Sequence, residues 1–123
     1  MFKLLISLTF FLVLALTACT KNSGIICDES AVAGLNVYVH DAETLYPLIQ
    51  GVTVQAFFQN EIELLNAPIS DGSPFFGAFE KPGVFTVIVS KPEYRSDTIS
   101  PVYVEKGQCH VKPVVLRSKL RKN

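Results

Sequence analysis

The sequence predicts an all-β domain, a Greek-key β-sandwich, preceded by a lipoprotein signal peptide. Three observations carry the prediction. Apolar and polar residues alternate with period two in several short runs. Gly- and Pro-containing turns separate those runs at roughly regular spacing. No stretch after Cys19 sustains a helical period.

Residues 1–18 read as an export signal. Lys3 is the positive head, and Leu4 to Leu16 is an apolar run broken only by Ser7 and Thr9. Such a run covers roughly 20 Å as a helix, short of the ~30 Å bilayer core. It therefore fits a signal-peptide core better than a permanent span. The run ends in Leu16-Thr17-Ala18-Cys19, which looks like a lipobox. An ordinary secretory site would place Leu16 where a small residue is wanted. The expectation is cleavage before Cys19, lipid on its thiol, and anchoring in a membrane. Two or three acyl chains pass the threshold of marginal single-chain binding. Thr20 stands where Asp would signal retention in an inner membrane. An outer membrane, domain facing the periplasm, is expected if the host is Gram-negative.

Loss of Lys3 leaves ten basic and eleven acidic side chains on 105 residues. That size suits one domain with one core. The near-neutral charge gives no support for nucleic-acid binding. With Cys19 given to lipid, Cys27 and Cys109 remain. An even pair in an exported domain reads as a disulfide. The rival is a metal or thiol site with His110, which would offer at most three ligands. No cofactor is expected.

Residues 19–33 form the lipidated cysteine and a short tether. Eight steps from Cys19 to Cys27 reach at most about 28 Å, so the domain sits close to its membrane. The sandwich is assigned to residues 34–117. Leu35, Val37 and Val39 alternate with Asn36, Tyr38 and His40 as a half-buried strand. Residues 41–50, with Pro47, are a loop. Val52, Val54, Ala56 and Phe58 alternate with Thr53, Gln55, Phe57 and Gln59 in the next strand, and a short one follows at Ile62 to Leu65. Asp71-Gly72 marks a turn before Phe75 to Phe79, an aromatic extended run. Lys81-Pro82-Gly83 turns into the clearest strand, Val84 to Val89. Its second side, Val84, Thr86 and Ile88, is apolar enough to be covered as well. Ile99 to Val104 contains Pro101, which implies an edge or a bulge. Val111 to Leu116 is the last expected strand, and residues 118–123 are expected to be a charged tail.

The segment from Gly77 through Glu80-Lys81-Pro82-Gly83-Val84-Phe85-Thr86-Val87 to Pro92-Glu93-Tyr94 resembles the hallmark of carboxypeptidase regulatory-like domains. Their pattern is a charged pair, Pro-Gly, an aromatic, alternating Val/Thr, then Gly-Tyr; here Glu93 stands in place of that Gly. Val39-His40-Asp41-Ala42, Pro47 and Gly51-Val52-Thr53-Val54 resemble the family's opening strand pair. Cys109-His110-Val111, with Val114 and Leu120, resembles the closing strand of a lipoprotein subset that joins this cysteine to an early one. The resemblance covers about Gly34 to Leu120. It implies a transthyretin-like sandwich of about seven strands without catalytic residues of its own.

The residue inventory also points away from an enzyme. His40 and His110 are the only histidines, neither lies in an HExxH or HxxE context, and no GxSxG elbow occurs. Among transthyretin-like enzymes, 5-hydroxyisourate hydrolases end in Tyr-Arg-Gly-Ser. This chain has Tyr94-Arg95-Ser96 in mid-chain and ends Leu120-Arg121-Lys122-Asn123. The expected role is a lipid-anchored scaffolding or interaction module with an envelope protein as partner. The alternative is a small-molecule or glycan binder using an aromatic surface of Phe75, Phe76 and Phe79. Those rings also suit plain core filling. Arg117, Lys119, Arg121 and Lys122 are read either as a contact for anionic lipid or polymer or as a solvated, frayed end. A bond between Cys27 and Cys109 would place the start of the last strand at the tether end and the chain terminus at the opposite end.

Overall fold

The computed structural model describes residues 24–123. The expected signal peptide, Cys19 and the first part of the expected tether lie outside the described residues. Seven strands form two sheets: β1 (Ala33–Asp41), β2 (Thr53–Phe58), β3 (Glu61–Leu64), β4 (Phe75–Phe79), β5 (Gly83–Ser90), β6 (Asp97–Val104) and β7 (Val114–Leu120). One sheet has the order β4-β1-β7 and the other β3-β2-β5-β6. The β1–β2, β3–β4, β4–β5 and β6–β7 connections cross between the sheets.

The alternation seen in the sequence puts one side of each sheet into a common core. Leu35, Val37 and Val39 of β1 meet Val54 and Ala56 of β2, Phe85, Val87 and Val89 of β5, and Val102 and Val104 of β6. Fully burying a side chain of this size contributes roughly 1.5–3 kcal/mol, so this layer dominates stability.

β1 and β7 run parallel, from Leu35↔Val114 to Asp41↔Leu120. Both therefore leave the same end of the sandwich. That end carries the disulfide Cys27–Cys109, whose Cα atoms are 5.2 Å apart across 82 positions of sequence. The β4–β5 turn and the β6–β7 connection share it. The opposite end gathers the β1–β2, β3–β4 and β5–β6 connections and the C-terminus.

The open flanks between the sheets are closed by side chains. At β3/β4 the Ala78 N–H donates to Glu63 Oε2 at 2.6 Å, and Lys81 Nζ to Glu63 Oε1 at 3.2 Å. At β6/β7 the Ser118 hydroxyl donates to Asp97 Oδ2 at 2.7 Å. These contacts occupy polar groups at strand edges that would otherwise face the core unpaired.

The last strand differs from the sequence reading at both ends, and one side of β5 differs in burial. The last strand starts at Val114, after Pro113, and runs on to Leu120. Residues 118–120 are therefore strand, not tail: Ser118 and Leu120 point inward and are 0 % and 1 % exposed. Arg117 and Lys119 fall on the outer side and disguise a half-buried strand as a charged run. β6 is an edge strand with a register shift opposite Phe85/Val87, as its proline implies. The second side of β5, expected to be covered, is open: Val84 is 51 % exposed.

Candidate functional site

The end opposite the disulfide is organised by Asp41, the last residue of β1. Its Oδ1 accepts the Glu43 and Thr44 N–H groups at 2.8 and 3.0 Å, which fold the chain back into the β1–β2 connection. Its Oδ2 accepts the Tyr94 hydroxyl at 2.8 Å. The Thr44 N–H first, then the Tyr94 hydroxyl, hold the Asp41 pKa down to about 2. The same bond raises the pKa of Tyr94.

Tyr94 is the hub of that end. Its ring lies 5.9 Å from Lys91 Nζ and 5.9 Å from Lys122 Nζ. The C-terminus is zipped beside it. Arg95 N–H donates to Arg121 O at 2.9 Å, and Asn123 N–H to Glu93 O at 2.9 Å. Residues 121–123 are thus paired backbone rather than a frayed end. The turn that carries Tyr94 has Pro92 then Glu93 at φ +71°, and Tyr94 N–H donates to Lys91 O at 3.0 Å. That is the pattern of a type II turn, whose third position suits Gly. Here a residue with a Cβ holds that position, where Gly would adopt the conformation without strain.

Beside this hub lies a shallow open depression lined by Tyr46, Pro47, Ile49, Asp71 and Lys91, with Tyr46 73 % exposed. Lys91 Nζ donates to Gln50 O at 2.6 Å, which fixes its rim. Gly72, at φ +85°, makes the neighbouring turn.

The aromatic surface expected from Phe75, Phe76 and Phe79 divides between the two sides of β4. Phe75 is 3 % exposed and fills the core, so it is no part of a surface. Its place follows from its register opposite Val37. Phe76 and Phe79 pack edge to face at 6.0 Å, and Phe79 is 39 % exposed. The positive φ of Ala78 breaks the alternation and turns Phe79 outward beside Phe76. A small apolar recess next to Phe76 includes Ile69 and Pro74.

At the disulfide end the two sulfurs are joined to each other, so neither thiolate is free to make a metal set with His110. His110 instead bridges two carboxylates. Nδ1 lies 3.1 Å from both Glu80 oxygens, and Nε2 lies 2.8 Å from Asp28 Oδ1. Carboxylates only accept, so both ring nitrogens donate and the imidazolium is favoured. Glu80 first and Asp28 second raise the His110 pKa, and Asp28 is lowered in turn by Ser30 first and then His110. Glu80 Oε1 also accepts the Val32 N–H at 3.0 Å. The segment entering β1 is thereby tied to the β4–β5 turn as well as to Cys109. His40 lies on the outer side of β1, far from His110 along the strand, so the two histidines are not brought together.

The Asp41–Tyr94 pair and the His110 bridge were missed in the sequence. Asp41 followed by two backbone donors was a readable Asx signal. The partners 53 and 82 positions away were not, because no local pattern encodes them. No protein-family model matches the chain, and no curated protein matches it either.

Proposed function

We propose that the protein is a bacterial lipoprotein, acylated on Cys19, whose sandwich is a non-catalytic interaction module of the carboxypeptidase regulatory-like kind. It acts at the cell envelope, in an outer membrane facing the periplasm where the host has one. One observation carries the reading. The disulfide ties the tether to the common starting end of the parallel strands β1 and β7. With eight steps between Cys19 and Cys27, an anchor would hold that end beside the membrane and direct the loop end outward. The exposed Tyr46 rim and the Lys91–Tyr94–Lys122 stack would then be the surface offered to an envelope protein. The lipobox, the seven strands in two sheets and the family-like turn at Tyr94 support the same reading.

A second reading is favoured by the Phe76–Phe79 pair, an exposed aromatic edge of the kind that stacks on a sugar or small ligand. Two measurements test these readings. Mass analysis of the mature amino terminus should give Cys19 with acyl chains, and Cys19→Ser should abolish lipid labelling. A photo-crosslinker at Tyr46 in intact cells should give one discrete protein adduct. Saturable glycan binding lost in Phe79→Ala, with no adduct at Tyr46, would replace the first reading by the second.

A further inference from the structure

The outer side of the four-stranded sheet carries no charge. The register pairs Phe57 with Ile62, Gln55 with Leu64 and Val84 with Tyr103, all pointing away from the core. Ile62, Leu64, Val84 and Tyr103 are 61 %, 64 %, 51 % and 63 % exposed. The polar residues between them are amides and hydroxyls, with Thr86 and Ser100 bonded to each other at 2.8 Å. Every charged side chain of these four strands lies at an inward edge or a strand end: Glu61, Glu63 and Asp97. The outer side of the other sheet differs, since Arg117 and Lys119 stand on it beside Tyr38 and His40.

We propose that this uncharged sheet face is where two copies of the chain pair, face to face, about a two-fold axis parallel to the strands. Charge decides the occupant. An isologous contact sets one surface patch against a second copy of itself, so a face with a net charge of one sign repels its partner. A face without charge carries no such cost, and its exposed apolar side chains gain by leaving water. The outer side of the other sheet, with Arg117 and Lys119, would set net positive charge against net positive charge. Size is adequate: four strands at ~4.8 Å spacing and about six residues at ~3.3 Å give roughly 400 Å² of projected face per copy. The accessible area of such a ridged face is larger, near the lower bound for a specific interface. Packed faces of this type sit about 10 Å apart with strands roughly aligned.

The direction of the axis rests on the anchoring proposed above. Two copies tethered at the disulfide end in one membrane share a height. Only an axis along the strands then brings the faces together with both tethers on one side. Confinement to the membrane raises the effective concentration and favours a modest interface.

The test is photo-crosslinking of the full chain in native membranes, with two differently tagged copies. A crosslinker at Val84 or Tyr103 should give an adduct carrying both tags, linked to positions at the same height, such as Ile62. A crosslinker at Arg117 should give none. Gln55→Lys and Thr86→Lys, which point outward and leave the core untouched, should lower the adduct yield at least about tenfold while the melting temperature holds. Adducts only to another protein, adducts only at Arg117, or yields unchanged by both lysines would overturn the pairing. Adducts from Val84 to Thr98 at the other end of the face would overturn the axis. Acyl mass at Cys19, read separately, distinguishes that failure from a failure of anchoring.

Discussion

The two ends of the sandwich are held by different means. The disulfide end is tied by a covalent bond, by the imidazolium of His110 between Glu80 and Asp28, and by Lys81 between Glu63 and Glu61. The loop end has no covalent tie. It depends on one carboxylate, Asp41, on the Tyr94 ring and on the backbone zip of residues 121–123. Under the proposed anchoring, load would enter the molecule at the disulfide end. Tension on the segment before β1 passes through Cys27 to Cys109 and through Asp28 to His110, so it reaches the β6–β7 connection before it can peel β1 from the sheet. The loop end would bear no such load in that arrangement, and it is the end that holds the strained turn at Glu93.

The largest effect should come from cutting the covalent tie. Cys109→Ser frees a loop of more than eighty residues in the unfolded chain and should cost about 4 kcal/mol in denaturant unfolding. It should also open residues 24–32 to protease while the Asp41–Tyr94 end stays protected. Equal protection at both ends would remove the contrast. Next comes the core beneath the aromatic edge. Phe75→Ala should cost about 3–5 kcal/mol, and Phe76→Ala only about 1 kcal/mol or less. Similar losses from the two would mean that β4 is set in another register.

Strain at the loop end can be relieved by one substitution. Glu93→Gly should stabilise by about 1 kcal/mol, because Gly adopts φ +71° without the clash of a Cβ. A loss of stability would place the turn in a different conformation. The smallest effect is the pH dependence of the disulfide end. The His110 pKa is raised in the folded chain, so its contribution is complete below the ordinary value of 6.5 and fades as pH rises through the raised value. The unfolding midpoint should decline over that range in the parent and stay flat in His110→Gln. Asp41 acts in the opposite sense: its pKa is lowered, so its contribution is present above 3.8 and lost as pH falls through about 2.

Much of this architecture is legible in the residues, and the misses have physical causes. Period-two alternation located β1, β2 and β5 to within a residue or two, because their buried residues really do alternate. Pro101 announced an edge with an irregularity. The sequence reading ends β7 too early because Arg117 and Lys119 alternate with the inward Ser118 and Leu120, and a buried serine looks polar until Asp97 is seen to accept its hydrogen bond. Phe75 and Phe79 fell on opposite sides because a positive φ at Ala78 cannot be read from a small apolar residue. The cysteine pair is legible once Cys19 is set aside as the lipobox cysteine, whereas Asp41–Tyr94 needs the fold to bring distant residues together.

In the proposed anchoring the disulfide end lies beside the membrane and the loop end points away. Depth-dependent fluorescence quenching tests it most directly, with the lipidated chain on vesicles and a probe at Glu29 or at Asn123. Nine residues of β1 at ~3.3 Å separate the two ends by about 25–30 Å, well beyond a Debye length of about 8 Å. The account predicts strong quenching at Glu29 by headgroup-level quenchers and weak quenching at Asn123. Quenching at Asn123 as strong as at Glu29 would contradict it.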